Sequence, residues 1–315
     1  MSGTDWKSYA DQLQILQSRG LLIDDAARAQ TDLERIGYYC LSGYWYPFRK
    51  LKAQPVGLSF REDEFVAGSK FDDVVALYVF DKNLRLMALD ALERIERAIR
   101  VDVAHLLGER DCFAQHQPSL FHGNFSRRTI THGFHSGKTE HQVWLERYDG
   151  LVRQNRRQPF VAHNLTKHQK LPIWVAIEIL DFGALSRLFA GMSFADKGAI
   201  AAKYGLASGR ELEQWLRSLN LIRNVAAHHS RLWNMNILEL SPVRQYDAQW
   251  QQLNNSRPFM YFCLMQKLLA TICPNSGWRR RFVALASAFP EPDNKAVTAQ
   301  DFGAVAGWQA WGLWA

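Results

Sequence analysis

The chain has 315 residues, 47% of them hydrophobic and 22% charged, a balance that supplies a core and excludes a disordered polymer. A formal net charge of +7 and an isoelectric point near 9.3 favour an acidic partner, nucleic acid before an anionic membrane surface. Four scattered cysteines without a C-x-x-C pattern exclude a disulfide framework or zinc ribbon, and no apolar run is long enough to span a membrane.

Leu13, Leu16 and Leu21 predict a helix over 8–22, with Gly20 near its end. A second helix is expected over 26–37, capped by Asp24 or Asp25 and apolar at Ala26, Ala29, Leu33 and Ile36. Tyr38, Tyr39, Tyr44, Trp45, Tyr46 and Phe48 follow closely, then Arg49, Lys50 and Lys52. These aromatics are either base-stacking platforms beside phosphate-binding cations or a small satellite core. Residues 53–70 lack helical period and read as a loop with at most one short strand.

A long helix is predicted over 71–108, buried along Val74, Leu84, Ala88, Leu92, Ile95, Ile99 and Val103. Its other side carries Arg85, Glu93, Arg94, Glu96, Arg97 and Arg100, with favourable four-residue pairs from Glu93 to Arg97 and from Glu96 to Arg100. Residues 111–172 are the least regular part, with Arg127, Arg128, Arg153, Arg156 and Arg157 and seven histidines. They read as a basic loop-rich insertion, either holding nucleic acid or lying idle on the surface. His132, His135 and His141 fit no common zinc module, so no metal is assigned.

Pro172 is expected at the start of a helix, and Ile173, Val175, Ala176, Ile177, Ile179 and Leu180 are apolar nearly all round it, as for a buried element. Ser193 or Asp196 opens a short helix ending near Tyr204, and a helix is expected over 209–229. Further helices are expected at Pro258–Cys273 and Trp278–Phe289. Trp308, Trp311 and Trp314 in the tail should dock onto the domain, since exposed tryptophans invite aggregation.

The helix over 209–229 buries Leu212, Trp215, Leu216, Leu219, Ile222 and Ala226 on one stripe. Glu213, Arg217, Asn220, Asn224, His228 and Arg231 fall on a separate polar face. Arg223 lies at the edge of the apolar stripe, so it must be paired or must line a cleft.

The thirteen residues from Ile222 to Asn234 carry two His, two Arg and two Asn. Arg223-Asn224-Val225-Ala226-Ala227-His228 resembles the R-x4-6-H signature of HEPN ribonucleases. The longer string through His229, Ser230, Arg231, Leu232, Trp233 and Asn234 resembles the Abi-like abortive-infection proteins, the AbiD/AbiF group. Similar strings recur at 36–49, 89–96 and 174–186. The resemblance implies a mainly α protein with a HEPN-type helical bundle. An N-terminal helical module at 1–52, a HEPN-like domain at 71–290 with the insertion at 111–172, and a tail at 291–315 are expected. It also implies an endoribonuclease toxin of phage defence, acting as a homodimer on RNA, because one chain supplies one motif. Some HEPN toxins have a nucleotidylated Tyr two residues after the His; Ser230 stands there, so that control is not carried over.

RNA cleavage through the 2′-OH needs a base, an acid and cations for the crowded phosphorane. His titrates near neutrality, and Arg holds phosphate oxygens with a fixed fork. His228 is therefore the expected general acid/base, Arg223 the electrostatic clamp and Asn224 the orienting residue. His229, Arg231, Glu93, Arg94, Arg97, Arg127 and Arg128 are expected to support the site or bind RNA, with Glu93 or Glu96 pairing Arg223. No cofactor is expected. The partners expected are RNA, a second copy, and an antitoxin protein or antisense/guide-like small RNA, in the cytoplasm and without membrane contact. The alternatives are an RNA-binding effector that holds without cutting, or a regulatory dimer.

Overall fold

The computed structural model describes residues 5–57, 59–242 and 247–314. The chain is mainly helical. Its N-terminal part runs through α1 (Tyr9–Ser18), α2 (Ala26–Ile36) and α3 (Tyr38–Trp45), then a hairpin of β1 (Arg49–Val56) and β2 (Ser59–Phe65). Next come α4 (Phe71–Gly108), α5 (Gly123–Ser126), α6 (Glu140–Asn155) and α7 (Pro159–His168). They are followed by α8 (Ile173–Ala176), α9 (Phe182–Gly191), α10 (Phe194–Lys203) and α11 (Gly209–Ala227). The chain closes with α12 (Pro258–Ile272), α13 (Trp278–Ser287) and α14 (Ala299–Phe302).

At 38 residues, α4 is about 57 Å long and forms the axis on which the other elements pack. It buries Leu77, Leu84, Ala88, Ala91, Ile95, Ile99 and Val103 against α3, α8, α11, α12 and α13. The helices begin where the side chains allow. The Ser208 hydroxyl accepts from the Glu211 amide at the start of α11, and Asp181 accepts from the Ala184 amide at the start of α9.

The aromatic run divides by helical face. Tyr44, Trp45 and Phe48 are buried, whereas Tyr39 points outward at 92% exposure. The docked tail places Trp308, Trp311 and Trp314 around Phe259 and Phe282.

Three expectations require correction. Residues 49–65 form a two-stranded antiparallel hairpin instead of a loop with one short strand. Its strands are rich in charged residues, with Arg49 pairing to Asp63 across them, so no continuous apolar face announces it. The 111–172 segment is less loop-rich than expected. Its α6 has a Thr139–Gln142 capping box and buries Val143, Trp144 and Tyr148, and the Trp144 indole donates to the Ala184 carbonyl of α9. The apolar segment after Pro172 is not one helix: after α8 it tightens to a 3-10 turn at Ile177–Ile179, and Asp181 then caps α9.

Candidate active site

The polar face of α11 lines a cavity of about 840 Å³ with Glu213, Arg217, Asn220, Arg223 and Asn224. The facing wall comes from α9, through Gly183, Ser186, Arg187 and Ala190, with Asp181 at its start. Arg147 of α6 and Asn124, Phe125 and Glu140 close one side, and Glu239 contributes from the segment after the motif. Gly183 permits this approach. A Cβ there would lie 3.3 Å from Asp181 Oδ1 and 3.6 Å from both Arg147 Nη2 and Asn220 Nδ2.

The charge of the cavity is even, with Arg147, Arg187, Arg217 and Arg223 facing Glu140, Asp181, Glu213 and Glu239. Much of it is already paired. Arg147 reaches both oxygens of Asp181 at 2.9 and 2.7 Å, and Glu213 holds Arg217 at 3.6 Å and Lys197 at 2.7 Å.

Arg223 differs. Its guanidinium donates to the Asn224 side-chain oxygen at 3.0 Å, and no carboxylate among the described residues lies within 4 Å of it. The expected ion pair with Glu93 or Glu96 is therefore absent, and the cleft-lining alternative describes the arrangement. Glu96 is instead bonded by Arg100, while Glu93 points to solvent on another part of α4.

Arg223 still acts on two carboxyls at longer range. Burial pushes Glu96 up from the ordinary glutamate value, against the opposing pull of Arg100 and Arg223. Burial also acts upward on Asp181, but the Ala184 amide and Arg147, with Arg223 adding, hold it below the usual aspartate range.

His228 ends α11, donating its backbone N–H to the Asn224 carbonyl at 3.0 Å, and its ring is exposed and not part of the cavity wall. His229 then takes a left-handed conformation at φ 57°. That turn removes Arg231 from the helical column. Its guanidinium bonds the Gly43 carbonyl of α3 instead. The next two amides, Leu232 and Trp233, both donate to the buried carboxylate of Asp81, which also accepts from Tyr44 and Arg85. Asp81, Arg85 and Tyr44 thus anchor the chain that leaves the motif. They are not among the expected site residues, and Arg85, expected on the polar side of α4, is buried instead; its i,i+4 spacing from Asp81 was a usable signal.

The Abi-like protein family matches residues 31–234. The chain belongs to the Abi-like protein family. No curated protein and no solved structure is detectably similar to it. Membership points to abortive infection, a phage-defence response. No helix among the described residues is long and apolar enough to cross a membrane.

The matched span of this Abi-like chain holds α4, the whole motif and the cavity wall apart from Glu239, but not every residue expected at the site joins it. Arg94 bonds Asp90 and Ser276, and Arg97 lies near Glu93 and Glu178, so both belong to the far side of α4. Arg127 and Arg128 are exposed at the end of α5. Arg128 lines a groove that shares Asn124 and Glu140 with the main cavity. His141 is buried with Nε2 on the Gln115 carbonyl, apart from the exposed His132. Arg147, Asp181 and Arg187 were not legible as site residues, because nothing local marks them.

Proposed function

We propose that this Abi-like protein is a HEPN-type, metal-independent endoribonuclease toxin. The observation that carries the reading is Arg223, a guanidinium in the cavity that is not committed to a carboxylate. A planar fork in this position is available for a phosphate oxygen and for the charge that grows on a phosphorane. Asn224 fixes that fork. His228, one turn further, is the proton-transfer group, assisting 2′-OH attack or protonating the leaving 5′ oxygen. Two copies bring two such histidines, enough for a base and an acid, so a homodimer is part of the proposal. RNA is the substrate, His229 contacts its backbone, and an antitoxin protein or small RNA restrains the toxin in the cytoplasm.

The test is cleavage of RNA in EDTA by the native chain, Arg223→Ala and His228→Ala. His228→Ala should retain RNA affinity within a few-fold while cleavage falls by about 10² or more, the scale of a lost general acid/base. Products should carry 2′,3′-cyclic phosphate. Normal cutting of 2′-O-methylated RNA, or loss of cutting in EDTA, overturns the mechanism. The exposed His228 ring favours a second reading, an effector that holds RNA without cutting it. Binding without cleavage by the native dimer would decide for that reading.

A further inference from the structure

The loop at 129–138 displays Phe134 with 96% of its surface exposed. Leaving a phenylalanine in water forgoes the stabilisation that burial would give. The loop nevertheless has a defined shape. Thr129 pairs with Thr139 as an antiparallel bridge, the Ile130 amide donates to the Lys138 carbonyl at 2.8 Å, and the Gly137 amide donates to the Ile130 carbonyl at 2.9 Å. Gly133 at φ 82° and Gly137 at φ 87° make the two left-handed bends on either side of the ring. The loop backbone is thus held in a defined shape while the aromatic ring it carries is left unburied.

The loop adjoins the candidate active site. A groove of about 380 Å³ runs beneath it past Arg128, Thr131 and His132, and shares Asn124 and Glu140 with the main cavity. Phe134 is two residues beyond His132, at most about 7 Å along the chain. Its ring meets the His135 imidazole edge-on with centroids 5.1 Å apart, and its chain neighbours His132, Gly133, Ser136 and Gly137 are polar or small, so they add no apolar surface to it.

We propose that Phe134 is a stacking platform for one unpaired nucleobase of an RNA whose backbone enters the main cavity. The proposal rests on the reading of that cavity as an RNA site and narrows its substrate to single-stranded RNA at this rim. Every base has a π-face for such a ring, whereas a base inside a duplex has both faces covered by its neighbours. Arg128 in the groove supplies a cation for the connecting phosphates.

The experiment measures affinity by fluorescence anisotropy for a fully 2′-O-methylated single-stranded oligonucleotide and for the same strand annealed into a duplex. The full-length native chain is compared with Phe134→Ala, Phe134→Trp and Arg223→Ala. Phe134→Ala should weaken single-strand binding about 5- to 150-fold, the range for removing one base–aromatic stack. Phe134→Trp should restore it, and duplex affinity should not change. Native affinity in Phe134→Ala, an equal loss for duplex, or a changed particle mass with unchanged RNA affinity overturns the proposal. If Arg223→Ala still weakens binding in those cases, the RNA site survives and only the stacking role of Phe134 falls. If the native chain binds neither oligonucleotide, both fall together.

Discussion

At the residue scale, Arg223 sits in the field of two carboxyls that it does not touch. It lowers both Glu96 and Asp181, so Arg223→Ala should raise both titrations. Carboxyl-carbon NMR titration checks this, and an unmoved Asp181 would place Arg223 outside that field. Asp181 also gives a pH prediction. Its folded value is depressed, so its charge contributes stability at pH values above the ordinary aspartate value of 3.8. That contribution is lost as pH falls through the lower folded value. Asp181→Asn keeps an N-cap and removes the charge, so it should destabilise at pH 7, and the deficit should shrink toward pH 3. Urea melts at both pH values measure it; a deficit that grows on acidification contradicts the sign.

At the element scale, the turn after α11 is held by a single buried carboxylate. Asp81→Ala leaves Arg85 buried without its partner and the Leu232 and Trp233 amides without an acceptor. The expected cost is about 3–5 kcal/mol, the scale for breaking a buried ion pair. Tyr44→Phe removes two hydrogen bonds, the one donated to Asp81 and the one accepted from Arg85, and should cost about 1–3 kcal/mol. Denaturant midpoints check both, and a near-neutral Asp81→Ala would deny the anchor. The exposed Arg127 and Arg128 belong to a different experiment. Replacing both should leave the fold intact, weaken RNA binding and reduce its salt slope by about one unit for each phosphate no longer neutralised. Most helices were legible at this scale because period and caps are local information: α2, α4, α10 and α11 lie close to their expected ranges. The hairpin was not, since its strands are rich in charged residues and show no continuous apolar side, and the Arg49–Asp63 pair forms only once they meet. α6, by contrast, carries local signals in its Thr139–Gln142 capping box and in Trp144, Tyr148, Leu151 and Val152 at helical spacing, although it is not among the expected helices.

At the scale of the whole molecule, one chain presents one Arg223 and one His228, with the histidine outside the cavity wall. In the homodimer we propose, a two-fold assembly would bring the α11 ends together and supply the second pair. Light scattering should show a particle of about twice 36.2 kDa at micromolar concentration. A fully active monomer would remove the need for the second copy.

The sequence alone determined a basic, mainly helical chain, its long α4, the buried stripe of α11 and the Abi-like motif from Ile222 to Asn234. These follow from composition, helical period and a contiguous string, all of which are local. Only the tertiary structure decided which motif groups share a space. It set Arg223 and Asn224 against Arg147, Asp181 and Arg187 from other helices. It ended the helix at Ala227, so that the left-handed His229 turned Arg231 toward Gly43. It also placed Glu93 on solvent instead of beside Arg223. The physical reason is that side-chain direction past a helix end, and the partner a charge meets, depend on packing between residues far apart in the chain.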